Sequence, residues 1–130
     1  YKIIPGQILP GYGKYIAEIS SGANPQGGLL VNEGTDLGTT AELAKGRYEL
    51  IFFYKAVNTN PSDYKQIKLS VGCTTNNACK TSNETLNALG DWTLQQKIID
   101  VNAQSSMYIS IAPTQANSTI LIDYVVLHKQ

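Results

Sequence analysis

Apolar and polar residues alternate with a period of two along most of this chain, and the clearest run is Arg47–Ala56, RYELIFFYKA. Tyr48, Leu50, Phe52 and Tyr54 share one face, while Ile51 and Phe53 make the middle of the other face apolar as well. Aromatic and branched side chains suit a pleated, half-buried surface, so this run predicts an interior strand at least partly covered on both sides. Gln66–Val71 alternates cleanly, with Ile67, Leu69 and Val71 inward against Gln66, Lys68 and Ser70. The same period, or a short apolar run, predicts strands at Tyr1–Ile4, Gln7–Leu9, Tyr15–Ile19, Leu29–Val31, Leu37–Leu43, Trp92–Val101, Ser106–Ala112 and Ile120–Leu127. Turn formers separate them: Pro5-Gly6, Pro10-Gly11, the tract SSGANPQGG, Asn32–Thr35, Lys45-Gly46, a polar loop at Val57–Asp63 and Asn102–Ser105. Gly72–Asp91 has no sustained period. It reads as loop, Glu84–Leu89 being too short to stand as a helix.

This many short strands with no confident helix predict an all-β, antiparallel two-sheet β-sandwich, with a jelly roll leading. An immunoglobulin-like sandwich is the rival, weakened because no two distant cysteines flank a core tryptophan. The 130 residues fit one domain, 1–130, able to bury roughly two thirds of its unfolded-chain surface.

Composition narrows the partners. Formal net charge is +0, the isoelectric point is near 6.8, and Lys and Arg do not cluster, so neither nucleic acid nor an anionic membrane is expected. No apolar run approaches the roughly 20 residues of a membrane helix. No signal-type segment precedes Tyr1, and the chain reads as a mature or excised domain. Cys73 and Cys79 bracket the polar tract TTNNA, a loop short enough for its ends to meet as a disulfide. Free thiols in a cytosolic loop are the other reading. A disulfide implies oxidising surroundings, hence a secreted or extracellular chain. The sequon matches at Asn83 and Asn117 only mark loops in a sequence this rich in Asn, Ser and Thr.

Several pieces in order resemble the galactose-binding-domain-like carbohydrate-binding modules, most of all families 6 and 35. Ile4-Pro5-Gly6-Gln7-Ile8 is similar to the family opening, Gly34-Thr35-Asp36-Leu37 to a later turn, and Gly46-Arg47-Tyr48-Glu49-Leu50 to the start of a family strand. Gly90-Asp91-Trp92 and Ile122-Asp123-Tyr124 continue the order. The resemblance covers nearly the whole chain. It implies a jelly roll that binds polysaccharide or oligosaccharide and serves as the accessory domain of a linked catalytic domain.

The resemblance also implies site residues. Family members hold a structural calcium with paired glutamates and a late carboxylate; here Asp123 matches the late one. Depending on register, the pair falls on Leu9 and Gly11, or on Ile16 and Glu18. Calcium takes six to eight oxygens, so Glu18 and Asp123 give it thin support as a cofactor; the other reading is a solvated Glu18 and an Asp123 that accepts hydrogen bonds from backbone or Tyr side chains. In the sugar cleft, Trp92 falls on the family's stacking tryptophan, whereas the second aromatic falls near Val31 and the fixing Asn near Leu121. A sugar's C–H face packs on an exposed ring while carboxylates or amides bind its hydroxyls, which suits Trp92 beside Asp91. Core filling is the competing role for Trp92. Tyr12, Tyr15, Tyr64 and Asn117 are candidate neighbours.

Catalysis finds little support, because acid–base and nucleophilic chemistry need placed partners. The single histidine, His128, lies near the chain end, and Glu33 with Asp36 reads as a solvated loop pair. Two functions therefore stand: a non-catalytic carbohydrate-binding module targeting an attached enzyme to a polysaccharide, and an extracellular adhesion or assembly domain binding protein. An exposed Trp92 separates the first from the second, which needs a broad apolar face or a free strand edge.

Overall fold

The structure, a computed structural model, describes residues 42–57 and 64–130 in full and Lys2–Pro5, Tyr15–Ser20 and Leu29–Val31 by their backbone. These residues form nine strands: β1 (Lys2–Pro5), β2 (Tyr15–Ser20), β3 (Leu29–Val31), β4 (Gly46–Ala56), β5 (Lys65–Cys73), β6 (Ser82–Ala88), β7 (Thr93–Val101), β8 (Met107–Pro113) and β9 (Thr119–Lys129). They make two antiparallel sheets, one ordered β1-β2-β9-β4-β7 and the other β3-β8-β5-β6. From β2 onward the chain changes sheet at each connection except β5 to β6. That winding is a jelly roll, as the strand pattern predicts, and it differs from the immunoglobulin arrangement.

The period of two places the core. Tyr48, Leu50, Phe52, Tyr54 and Ala56 of β4 are buried against Ile67, Leu69 and Val71 of β5 and Met107, Ile109 and Ile111 of β8. Ile99 and Val101 of β7 and Ile120 and Ile122 of β9 complete it. On the outer face of β4, Ile51 and Phe53 are half-buried, and the Phe53 ring lies 6.4 Å from that of Tyr124. A bulge sits there: Ile51 faces Val126 while Phe53 faces Asp123, so β9 carries one extra residue. The extra residue switches the inward positions of β9 from Ile120 and Ile122 to Val125 and Leu127.

Ser82–Ala88 corrects the loop expected across Gly72–Asp91. It is a strand paired with β5 from Lys65↔Ala88 to Val71↔Ser82. Its inward positions are Ser82, Glu84, Leu86 and Ala88, half of them polar, so the alternation carries no hydrophobic signal. Leu43 forms only an isolated bridge with Ser105. The strand expected at Gln7–Leu9, and the part of Leu37–Leu43 before residue 42, lie outside the described residues.

Cys73 and Cys79 form the expected disulfide, with Cα atoms 5.6 Å apart. Their loop is stitched to the β7–β8 turn through the buried Ser105. Its Oγ accepts from Thr75 N–H at 2.9 Å, and Asn102 N–H donates to Ala78 O at 2.6 Å. Covalent and hydrogen bonds tie these two connections together at one end of the sandwich, and the β4–β5, β6–β7 and β8–β9 connections lie at the other.

Candidate functional site

At that other end, among the described residues, three connections meet. β4 ends at Ala56 opposite Ile120, near the start of β9, and Tyr54 faces Thr93 at the start of β7. The turn before β7 is tied to β4, since Ala56 N–H donates to Leu89 O at 2.7 Å. The β8–β9 turn is tied to β5 and β4. Thr114 N–H donates to Gln66 O, Gln66 N–H to Gln115 Oε1, and Val57 N–H to Thr119 O, all at 2.9–3.1 Å. This places Asp91 and Trp92, Tyr64 and Asn117 on three anchored segments at one end of the molecule.

Asp91, Tyr64 and Asn117 are exposed, Tyr64 by 47%. Trp92 is partly buried and stands outside both the core cluster and the side chains packed against it. Instead, Lys55 Nζ lies 6.0 Å from the centroid of its ring. Lys55 alternates with the buried Tyr54 and Ala56 and so belongs to the outer face of the five-stranded sheet. Trp92 therefore stands where the loop end meets that face, with a cation beside its π-system. Asn117 has a backbone reason to be Asn, because its φ is +55° and Asn tolerates the left-handed region.

One sequence candidate is not brought to this end. Tyr15 opens β2 opposite Pro5, whereas Ser20 at the other end of β2 faces Thr119. The six-residue strand separates position 15 from the Trp92 end by about 17 Å at ~3.3 Å per residue. Tyr12 lies outside the described residues.

A second aromatic was not singled out from sequence. Tyr108 of β8 faces Gly72 of β5 on the outer face of the four-stranded sheet. A Cβ built on Gly72 would overlap the Tyr108 hydroxyl and Cζ and lie 2.8 Å from its Cε1, so the ring covers the glycine. Ser110, Ser70 and Asn83 form the adjoining row across β8, β5 and β6, with Ser70 Oγ donating to Asn83 Oδ1 at 2.8 Å. The signal was present in Ser106–Ala112: with Met107, Ile109 and Ile111 inward, Tyr108 had to face out. A groove of about 390 Å³ lies elsewhere, between β6 and β7 toward the disulfide, lined by Lys80, Ser82, Lys97 and Asn102 among others.

Of the two carboxylates that the resemblance offers for calcium, the Glu18 side chain lies outside the described residues. Asp123 is 8% exposed; its Oδ1 accepts from Tyr124 N–H at 2.7 Å, and its Oδ2 is buried without a hydrogen-bond partner. Tyr124 has φ +54°, strained for a bulky residue, and the Asp123 bond holds it there. The backbone register puts Glu18 opposite Leu121, two positions from Asp123. Among the described residues no group of three or more His, Cys, Asp or Glu side chains is placed to hold a metal. One carboxylate oxygen falls well short of a calcium shell.

No family model and no curated protein matches this chain. Solved structures do match. TmCBM61, solved with β-1,4-galactotriose, superposes with a TM-score of 0.65 at 15% identity, over 99% of this chain and 81% of its own. The CBM22-1 xylan-binding domain of Paenibacillus barcinonensis Xyn10C gives 0.63 at 14% identity, over 98% and 80%. This is the fold of carbohydrate-binding modules. The Clostridium thermocellum CBM22-1–GH10 modules, solved with xylohexaose, match with a TM-score of 0.58 at 14% identity, over 99% of this chain and 24% of theirs. In that structure a sandwich of this fold is joined to a further module of the same chain.

Proposed function

We propose that this chain is a non-catalytic carbohydrate-binding module that holds a polysaccharide or oligosaccharide and keeps a linked catalytic domain near it. The observation that carries this reading is the position of Trp92, partly exposed and outside the core at the end where Asp91, Tyr64 and Asn117 also stand. Trp92 supplies the stacking face for a sugar ring, and Asp91 and Asn117 supply acceptors and donors for hydroxyls. The disulfide supports a secreted or extracellular setting. Tyr108 over Gly72 gives this function a second candidate locus: a flat ring among hydroxyl and amide groups.

Titration calorimetry with xylan- and β-1,4-galactan-derived oligosaccharides, followed by a glycan array, tests the reading. One stacking ring with a few hydrogen bonds should give micromolar-to-millimolar affinity, roughly 4–8 kcal/mol in total, because sugar hydroxyls exchange water for partners of similar strength. Trp92→Ala should abolish binding with the far-ultraviolet spectrum and melting temperature nearly unchanged. Binding kept in that variant and lost in Tyr108→Ala moves the site to the four-stranded sheet. No binding to any glycan sinks the proposal.

A further inference from the structure

β7 is the outer strand of the five-stranded sheet, and among the described residues no strand pairs with its free side. A free edge offers unpaired N–H and C=O groups to another strand, and proteins usually blunt it with shortness, proline or charge. β7 is nine residues long without proline, and its outer face exposes Leu94 by 44% and Ile98 by 49%. Its mid-strand charge, Lys97, does not guard the edge. That side chain is only 19% exposed and bonds Glu84 of β6 at 3.1 Å, drawn in between the two sheets.

We propose that a second copy of this chain pairs with this edge, the two β7 strands running antiparallel about a twofold axis at Gln96. Directly opposite residues of antiparallel strands share a face, so the sequence around the axis decides whether self-pairing is favourable. Centred on Gln96, Leu94 meets Ile98 of the second copy, and Ile98 meets its Leu94. Gln96 meets its own counterpart, each amide able to donate and to accept. On the inner side Gln95 meets Lys97, with no like charges opposed. Centring the axis on Lys97 would set two lysines face to face, and centring it on Gln95 would leave Leu94 against Gln96. The order Leu-Gln-Gln-Lys-Ile, apolar at both ends and polar between them, is symmetric in character about Gln96, and this selects a second copy over an unrelated extended peptide. The five-stranded sheets of the two copies join into one continuous sheet. None of this depends on what Trp92 binds.

Sedimentation equilibrium of the whole chain, over on the order of a thousandfold in concentration up to about millimolar, should show a monomer–dimer equilibrium. Ile98→Lys should weaken association at least ~10-fold while circular dichroism stays native, since Ile98 is half exposed. Gln96→Cys tests the register. Directly opposite Cβ atoms lie within disulfide reach, so this variant should crosslink to a covalent dimer on mild oxidation, and Leu94→Cys alone should not. A chain monomeric throughout, a dimer indifferent to Ile98→Lys, or equal crosslinking from both cysteines would overturn the proposal.

Discussion

Replacing Gly72 by alanine moves Tyr108 without touching the core, and so separates the two loci of the proposed sugar binding. The new methyl would occupy the space of the Tyr108 hydroxyl and Cζ. Those atoms are the free end of a side chain that is partly exposed on the outer face, so the ring can swing away. Two terms of similar size then oppose each other. Alanine restricts the unfolded chain more than glycine and should stabilise by about 0.5–1 kcal/mol where the backbone permits it. Lifting the ring uncovers ~40 Å² of apolar surface, near 1 kcal/mol at ~25 cal/mol/Å². The melting temperature should therefore move by no more than about 3–5 °C in either direction. Calorimetry with the oligosaccharide that binds best should show unchanged affinity for Gly72→Ala, because Trp92 sits at the loop end and not on this sheet. A drop above ~3 kcal/mol would show that the ring is locked in place, and the reasoning about its free end fails. Lost affinity with intact stability would make Tyr108 the stacking ring.

Changing Cys73 and Cys79 together to serine should lower stability by roughly 2 kcal/mol, the chain-entropy value for a loop with ends 6 residues apart, and speed amide exchange mainly in residues 74–80 and 102–106. Thermal melts in calcium and in chelator should agree; a rise of many degrees with calcium would mean that further oxygens complete a site around Asp123. Asp123→Ala should cost about 1–3 kcal/mol in either medium through the lost bond to Tyr124 N–H. Burial raises the Tyr54 phenol above its ordinary value of 10.0. The folded state thus keeps a proton that the unfolded chain releases, so this contribution is full below pH 10 and fades as pH climbs through the folded value. Tyr54→Phe should flatten that alkaline loss in a series of denaturant melts.

Strands were legible wherever burial on one side and solvent on the other wrote themselves into alternate residues. β4, β5 and β8 show it best, with buried odd or even positions that match the reading from Arg47–Ala56, Gln66–Val71 and Ser106–Ala112. β6 failed because it borders the open side of the sandwich. There the inward positions meet water at the sheet margin, so Ser82 and Glu84 serve where a core strand would need leucine. Glu84 is bridged by Lys97 across the gap, a long-range pairing that no local window contains. The bulge in β9 was hidden for a different reason. The run Ile120–Leu127 is apolar in both parities, so inserting one residue changes which side chains face in without changing the pattern.

The site shows the same division between local and distant information. Trp92 followed from a short motif, and it stands outside the core cluster directly before β7 begins at Thr93. Lys55 could not be assigned to it from sequence. It comes from another strand and reaches the ring only because β4 and β7 are neighbours in register, Tyr54 opposite Thr93. For Asp123 the resemblance offers a calcium ligand, and its carboxylate chemistry equally offers an acceptor for backbone or Tyr hydrogen bonds. In the fold one of its oxygens serves the backbone: at a bulge, Tyr124 takes a left-handed conformation and its N–H needs an acceptor within a residue. Residue type announced a carboxylate, and that an amide N–H donates to it depends on an irregularity in strand pairing that leaves no trace in composition. Tyr15 shows the converse, since its type suited a sugar site and the antiparallel register of β2 against β9 carried it to the far end of the strand.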